Sequence, residues 1–311
     1  MNHVRFELRG LWAALPTPWS HDGRLDREVF QHDITRICRA AIHGVYSGGT
    51  TGEFYAQDFA RFVEINECLV QTSHANGKPV QCGCTALSTR QAVERVRYAR
   101  SIGADAIQIA LPFWLELDDD ETLQFFEDIA SAAGDLPIIH YDTIRSKRRI
   151  TPDHYARICE RVPTLHGTKF GGADLHAIRQ ITLANPRLRV FTGEHILASG
   201  APVGVTGSYS SVVLINPEWM ADYYNACREA NWPKAFACQE VVCKLFAAFP
   251  KCFQTPRLQD TAVDRIFGQL GGVLRCPLTG EKPYRHGTPD DLARLKEWAK
   301  KEIPELLGNK G

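Results

Sequence analysis

The chain has 311 residues, enough for one large domain or two ordinary ones, and its 36 Lys plus Arg are balanced by 36 Asp plus Glu. That balance gives no electrostatic reason to expect nucleic acid or an anionic membrane as partner, and it favours a small-molecule protein. No stretch approaches the ~18 apolar residues needed to span a bilayer, and the N-terminal MNHVRFELRGLWAALPTPWSHDG lacks the apolar core of a signal peptide, so a soluble, cytoplasmic protein is expected.

In chain order, short apolar runs recur as GLWAAL (10–15), GVYSG (44–48), PVQCGC (79–84), AIQIAL (106–111), PIIHY (137–141), LHGTKF (165–170), RVFTG (189–193) and VGVTGS (203–208), which makes eight candidate strands. Between most of them lie segments such as REVFQHDITRICRAA, ARFVEINECLVQTSHA, TRQAVERVRYARSIG and ETLQFFEDIASAAG, whose apolar residues recur every three or four positions as in amphipathic helices. The connections before the last two strands, QITLANPRL and EHILASGAP, are short but are counted as helical. This alternation argues for parallel strands joined by helical crossovers, and eight units of roughly 30 residues make a closed (β/α)8 TIM barrel more economical than an open doubly wound sheet. After residue 216 only helices follow. PEWMADYYNACREA closes the barrel, and PKAFACQEVVCKLFAAF, TAVDRIFGQLGG and PDDLARLKEWAKKEIPELL form a C-terminal appendage. The expected organisation is a catalytic barrel over 1–230 with a helical extension over 231–311 packed on it.

In such a barrel the reacting groups lie at the C-terminal ends of the strands, which singles out Tyr141 on the fifth and Lys169 on the sixth. A ~5 Å strand spacing lets the two side chains converge. An ammonium in an apolar setting loses hydration, which lowers its pKa and frees a nucleophilic amine for attack on a ketone. The bland alternative is a lysine whose stem packs along the barrel and whose head meets water or a carboxylate, with Asp174 near in sequence. SGGTTGEFY (47–55) reads as an anion cradle with a helix following it, or as an ordinary tight turn. It matches neither the phosphate-loop nor the dinucleotide pattern. The ten cysteines are scattered through apolar segments and read as buried free thiols. Cys82 and Cys84 share one strand face, where two small barrel-facing side chains are preferred to a metal chelate.

Together GGTTGE, IIHY and GTKF, with the opening GLWAALPTPWSHDGRLD, resemble the dihydrodipicolinate synthase and N-acetylneuraminate lyase family in order and approximate spacing over about residues 8 to 220. Family members are pyruvate-linked class I aldolases on a (β/α)8 barrel. The resemblance implies Lys169 as Schiff-base lysine, Tyr141 as proton relay, and Thr50 and Thr51 as carboxylate ligands. It also puts a backbone contact to pyruvate near Tyr209 and readers of the remaining substrate at Glu194, His195 and Ser211. Departures are visible. The synthase's arginine has no clean match, Arg145 being one position off; the usual loop tyrosine gives way to Phe113 and Trp114; and Gly171 stands two after the lysine where the lyase branch has a hydroxyl.

The leading expectation is therefore a Schiff-base lyase, N-acetylneuraminate lyase-like, that cleaves a 2-oxo acid reversibly to pyruvate and an aldehyde. Alternatives are a dehydratase or deaminase on the same scaffold, the synthase itself, or a non-catalytic keto-acid-binding barrel. A metal-dependent aldolase using His43, His140, His166 and His195 is disfavoured, and neither metal nor cofactor is expected. The resemblance further implies a homo-oligomer, a homotetramer by family habit.

Overall fold

The computed structural model describes residues 6–308. Eight strands alternate with helices: β1 (Gly10–Ala14), α1 (Arg27–Cys38), β2 (Gly44–Ser47), α2 (Phe59–Ala75), β3 (Val80–Gly83), α3 (Thr89–Ser101), β4 (Ala106–Ile109), α4 (Asp119–Ala133), β5 (Ile138–Asp142), α5 (Pro152–Arg161), β6 (Leu165–Phe170), α6 (Leu175–Ala184), β7 (Arg189–Thr192), α7 (Leu197–Gly200) and β8 (Val205–Ser210). Each strand is parallel to the next, and β8 pairs with β1 to close the ring. α8 (Pro217–Arg228) completes the helical shell; α9 (Trp232–Cys252), α10 (Asp260–Leu270), α11 (Pro289–Glu302) and α12 (Pro304–Leu307) form the C-terminal helical part.

Local chemistry explains most boundaries. Asp26, Asp58, Ser88, Asp118, Thr151, Asp174, Asn216 and Thr288 each cap a helix by accepting a first-turn amide, and Asp118 with Glu121 and Thr288 with Asp291 form full capping boxes. Asp174 is thereby committed to the Ala177 amide and is not the partner of Lys169. The short EHILASGAP connection folds as two 3-10 turns around the four-residue α7, and the final helical run breaks at Ile303, before Pro304.

Strand alternation divides the apolar residues between two layers. The inner layer holds Trp12, Ala14, Tyr46, Ala106, Ile139, Phe191 and Tyr209; the outer layer, between strands and helices, holds Leu11, Val45, Ile107, Ile138 and Val190 with the helix faces. Cys82 and Cys84 do share a face, but it is the outer one, packed against helices rather than facing the barrel. Burial pushes the Cys84 thiol up to about 12. Most other cysteines are buried as expected; Cys243 is exposed. β8 approaches β1 so closely at Gly207 that a Cβ there would lie 2.1 Å from the Gly10 carbonyl oxygen, so only glycine fits.

Candidate active site

Inward positions near the strand ends bring together Tyr46 from β2, Tyr141 from β5, Lys169 from β6 and Tyr209 from β8. Lys169 and Tyr141 are register partners on adjacent strands. Lys169 is half-buried; its Nζ donates to the Tyr46 hydroxyl at 3.1 Å and lies 4.2 Å from the Tyr141 ring centroid and 5.4 Å from those of Tyr46 and Tyr209. The ammonium thus meets three aromatic faces, a favourable setting for the cation. Beneath it, Tyr209 donates to Gln81 Oε1 at 2.6 Å and packs edge-on against Tyr46.

This environment corrects the expected pKa of the lysine. Burial alone pulls the ammonium down, but the phenol oxygens of Tyr141 and Tyr46 outweigh it and hold Lys169 above the ordinary lysine range. For Tyr141 the balance reverses: burial pushes the phenol up, while the Lys169 charge, the Thr50 hydroxyl and Arg145 bring it below the usual value. Desolvation therefore does not free the amine.

The GGTTGE loop closes above these rings. Its own hydrogen bonds use the amides of Glu53 (to Thr50, 3.0 Å) and Phe54 (to Gly49, 3.3 Å), leaving the Thr50 and Thr51 amides outside the turn's bonding. A three-residue 3-10 turn, Phe54–Ala56, follows the loop directly, and the expected helix, α2, begins only at Phe59 with its first turn capped by Asp58. Glu53 adopts φ 55°, and its carboxylate is buried against Arg265 (2.6 Å) and the Trp19 indole N–H (2.5 Å). Thr17 donates to the Gly52 carbonyl at 2.9 Å, so the PTP segment after β1 also holds the loop. Thr51 donates to Asp264 Oδ2 at 2.6 Å, and Thr261 donates to the Thr51 carbonyl at 3.2 Å. Burial pushes the Asp264 carboxyl up to about 7, with the hydroxyls of Thr51 and Ser211 acting against that rise and the charges of Asp260 and Glu194 adding to it.

The other expected residues are placed unevenly. Glu194 is buried and accepts from the Ser211 amide (3.1 Å), the Ser211 hydroxyl (3.2 Å) and the Val212 amide (2.9 Å), so it fixes the segment after β8. His195 turns outward onto Phe246 of α9, 5.7 Å between ring centroids. Arg145, one position off the family pattern, nevertheless lines the cavity beside Tyr141 and pairs with Asp260 at 2.9 Å. Phe113 lines the same cavity and Trp114 is exposed. Gly171 sits where a Cβ would come within 2.7 Å of the Asp142 carbonyl oxygen, which explains why no hydroxyl side chain stands there. The four histidines do not converge: His43 accepts from the Leu11 amide, His140 is buried against Tyr155, His195 faces α9, and His166 borders a groove formed with Leu165, Leu188 and Ala184.

Sequence reasoning missed Tyr46 and Asp264. Tyr46 shares the inward face of its strand with Gly44 alone, so no second chemistry-bearing side chain on that face marked it. Asp264 carries a signal that could have been read: a carboxylate within TAVDRIFG, a helix segment buried on every side.

The model of the dihydrodipicolinate synthetase family matches residues 7–282. A 4-hydroxy-tetrahydrodipicolinate synthase of Methanopyrus kandleri is 30% identical over 93% of this chain and 95% of its own. An N-acetylneuraminate lyase of Clostridium perfringens is 24% identical over 94% and 99%. The crystal structure of a putative dihydrodipicolinate synthetase from Pseudomonas aeruginosa, 20% identical, superposes with a TM-score of 0.86 over 97% of this chain and all of that one. A closed barrel, a lysine on its sixth strand with a tyrosine on its fifth, and a sequence match across nearly the whole length lead to one conclusion: the chain belongs to the dihydrodipicolinate synthetase family of class I aldolase lyases.

Proposed function

We propose that the protein cleaves a 2-oxo acid reversibly to pyruvate and an aldehyde through an imine on Lys169. The observation that carries this reading is the position of Lys169 Nζ, hydrogen-bonded to Tyr46 and 4.2 Å from the ring of Tyr141, which itself lines a cavity. Tyr141, in its ionised form, accepts the ammonium proton as the amine attacks and relays it onward. The freed amine adds to the C2 carbonyl, and water leaves to give the iminium. The C3–C4 bond then breaks with its electron pair flowing into the iminium, while the C4 hydroxyl gives up its proton and departs as the aldehyde. Protonation of the enamine at C3 and hydrolysis release pyruvate and restore the lysine. Thr50 and Thr51 hold the carboxylate, and the backbone at Tyr209 borders the pyruvate position. Glu194 and Ser211 act by fixing the segment after β8, a role different from substrate reading.

The resemblance to N-acetylneuraminate lyase supports the cleavage chemistry without naming the aldehyde. We also place the protein in the cytoplasm, since ten unpaired cysteines suit a reducing compartment. Borohydride reduction in the presence of pyruvate should add mass to the peptide holding Lys169, and Lys169→Ala should lose both adduct and turnover. Activity retained in that variant would refute the imine. A product with its carbon skeleton intact would point instead to dehydration or deamination.

A further inference from the structure

Next to the lysine, the cavity at the barrel mouth has walls unsuited to a polyhydroxylated chain. It starts at Gly49, Thr50 and Tyr141 and encloses about 170 Å³. Phe54 meets Phe113 edge-on with ring centroids 5.9 Å apart, and Tyr55 meets Tyr284 at 4.9 Å, so two pairs of rings line the space. Three of the polar side chains there, Thr85, Thr143 and Arg145, already have partners, and Gln259 stands at the rim with the phenols of Tyr55 and Tyr284. The Thr85 hydroxyl accepts from the Ala110 amide at 2.9 Å, that of Thr143 accepts from the Arg145 amide at 3.3 Å, and the Arg145 guanidinium is paired with Asp260. Ser146 differs: it is 2% exposed, lines the cavity, and its hydroxyl has no hydrogen-bond partner among the described residues. Side chains that would read a polyol are engaged elsewhere, Glu194 by three donors and His195 by α9.

We propose that the aldehyde half of the substrate is an aryl group bearing one oxygen substituent that meets Ser146. The inference rests on the imine reading given above. Apolar cavities of about 150 Å³ take up a benzene ring, so one ring fits the volume here. Aromatic walls favour edge-on and offset ring contacts, whereas the hydroxyls of a sugar chain would be desolvated against ring faces without partners. In the synthetic direction the enamine carbon of pyruvate attacks the aryl aldehyde. One C–C bond forms, the carbonyl oxygen takes up a proton to become a hydroxyl, and hydrolysis of the imine releases a 4-aryl-4-hydroxy-2-oxo acid. No oxidant or reductant is needed.

The test uses the full chain with pyruvate and, separately, benzaldehyde, the three hydroxybenzaldehydes, N-acetylmannosamine and glyceraldehyde, with products identified by NMR. At least one hydroxybenzaldehyde should exceed both polyol aldehydes in kcat/KM by about tenfold or more. Ser146→Ala should erase its advantage over benzaldehyde, and Phe113→Asp should raise its KM by about tenfold with a much smaller change in kcat. Both variants are checked for native thermal unfolding. Preference for either polyol aldehyde overturns the inference, and so does indifference of the aryl substrates to both substitutions. Borohydride trapping of pyruvate, run in parallel, separates the two layers. An adduct on Lys169 without aryl turnover sinks this inference alone, whereas no adduct sinks it together with the imine reading.

Discussion

Tyr46 stabilises the charged form of Lys169 through its hydroxyl, and imine formation requires the neutral amine. Tyr46→Phe removes one of the oxygens that hold the lysine pKa up. The limb on which the pyruvate-trapping rate rises with pH should therefore move to lower pH; a limb that stays in place would mean Tyr46 only fills space. Asp142 offers a stability readout at the same scale. Its carboxyl is buried at the end of β5 with the Arg149 guanidinium 3.7 Å away, and burial pushes it up to about 7 from 3.8. Because the folded protein binds this proton more tightly than the unfolded chain, the associated stability is full below about pH 4 and is lost as pH rises through 7, by at most about 4 kcal/mol. Asp142→Asn keeps the shape without the charge. The stability of this variant relative to the parent, from urea unfolding, should increase between pH 5 and pH 8. A difference independent of pH would contradict the assignment.

At the scale of elements, α10 secures the site although it lies beyond the barrel. Asp260 holds Arg145, Thr261 and Asp264 hold Thr51, and Arg265 crosses to Glu53 and to the Thr17 carbonyl at 2.7 Å. Arg265 is fully buried, so Arg265→Ala leaves the Glu53 carboxylate uncompensated and should cost about 3–5 kcal/mol, measured by chemical unfolding. Arg265→Ala combined with Glu53→Gln should recover part of that loss; a double variant as unstable as the sum of the singles would deny the coupling. The strands were legible because both faces of a barrel strand are buried, so apolar runs such as AIQIAL and PIIHY stand out against polar connections. Lys169 stood out because a lysine at the end of an apolar strand is costly without a partner, whereas Tyr141, Thr50 and Thr51 took their roles only through the resemblance that groups their motifs with it. The contribution of α10 was not, since Thr51 and Asp264 are 213 positions apart and no local pattern links them. Nor could dehydration of Lys169 be weighed against its phenol neighbours before Tyr46 was placed beside it.

For the whole molecule, the cavity rim continues into an exposed apolar surface. Trp114 and Leu115 are 75% and 74% exposed, and Ile144 is 74% exposed. Lys147 joins the two loops: its amide bonds to the Ile144 carbonyl, while its ammonium reaches the Trp114 carbonyl and lies 5.9 Å from the centre of that indole. An apolar patch at a rim is a common mark of association, and the absence of net charge removes long-range repulsion between copies. We therefore expect this face to pair with a second copy of the chain, as the family resemblance also implies, with each partner contributing roughly 800 Å² if the contact is of standard size. Sedimentation equilibrium should give the parent protein a mass of at least twice the 34.8 kDa chain. Trp114→Glu with Leu115→Lys should bring the mass toward that of one chain. Phe113 adjoins Trp114 and lines the cavity, so dissociation should also raise KM for the aldehyde more than it slows pyruvate trapping at Lys169. A parent protein already at single-chain mass, or a double variant that stays assembled, would place any association elsewhere on the surface.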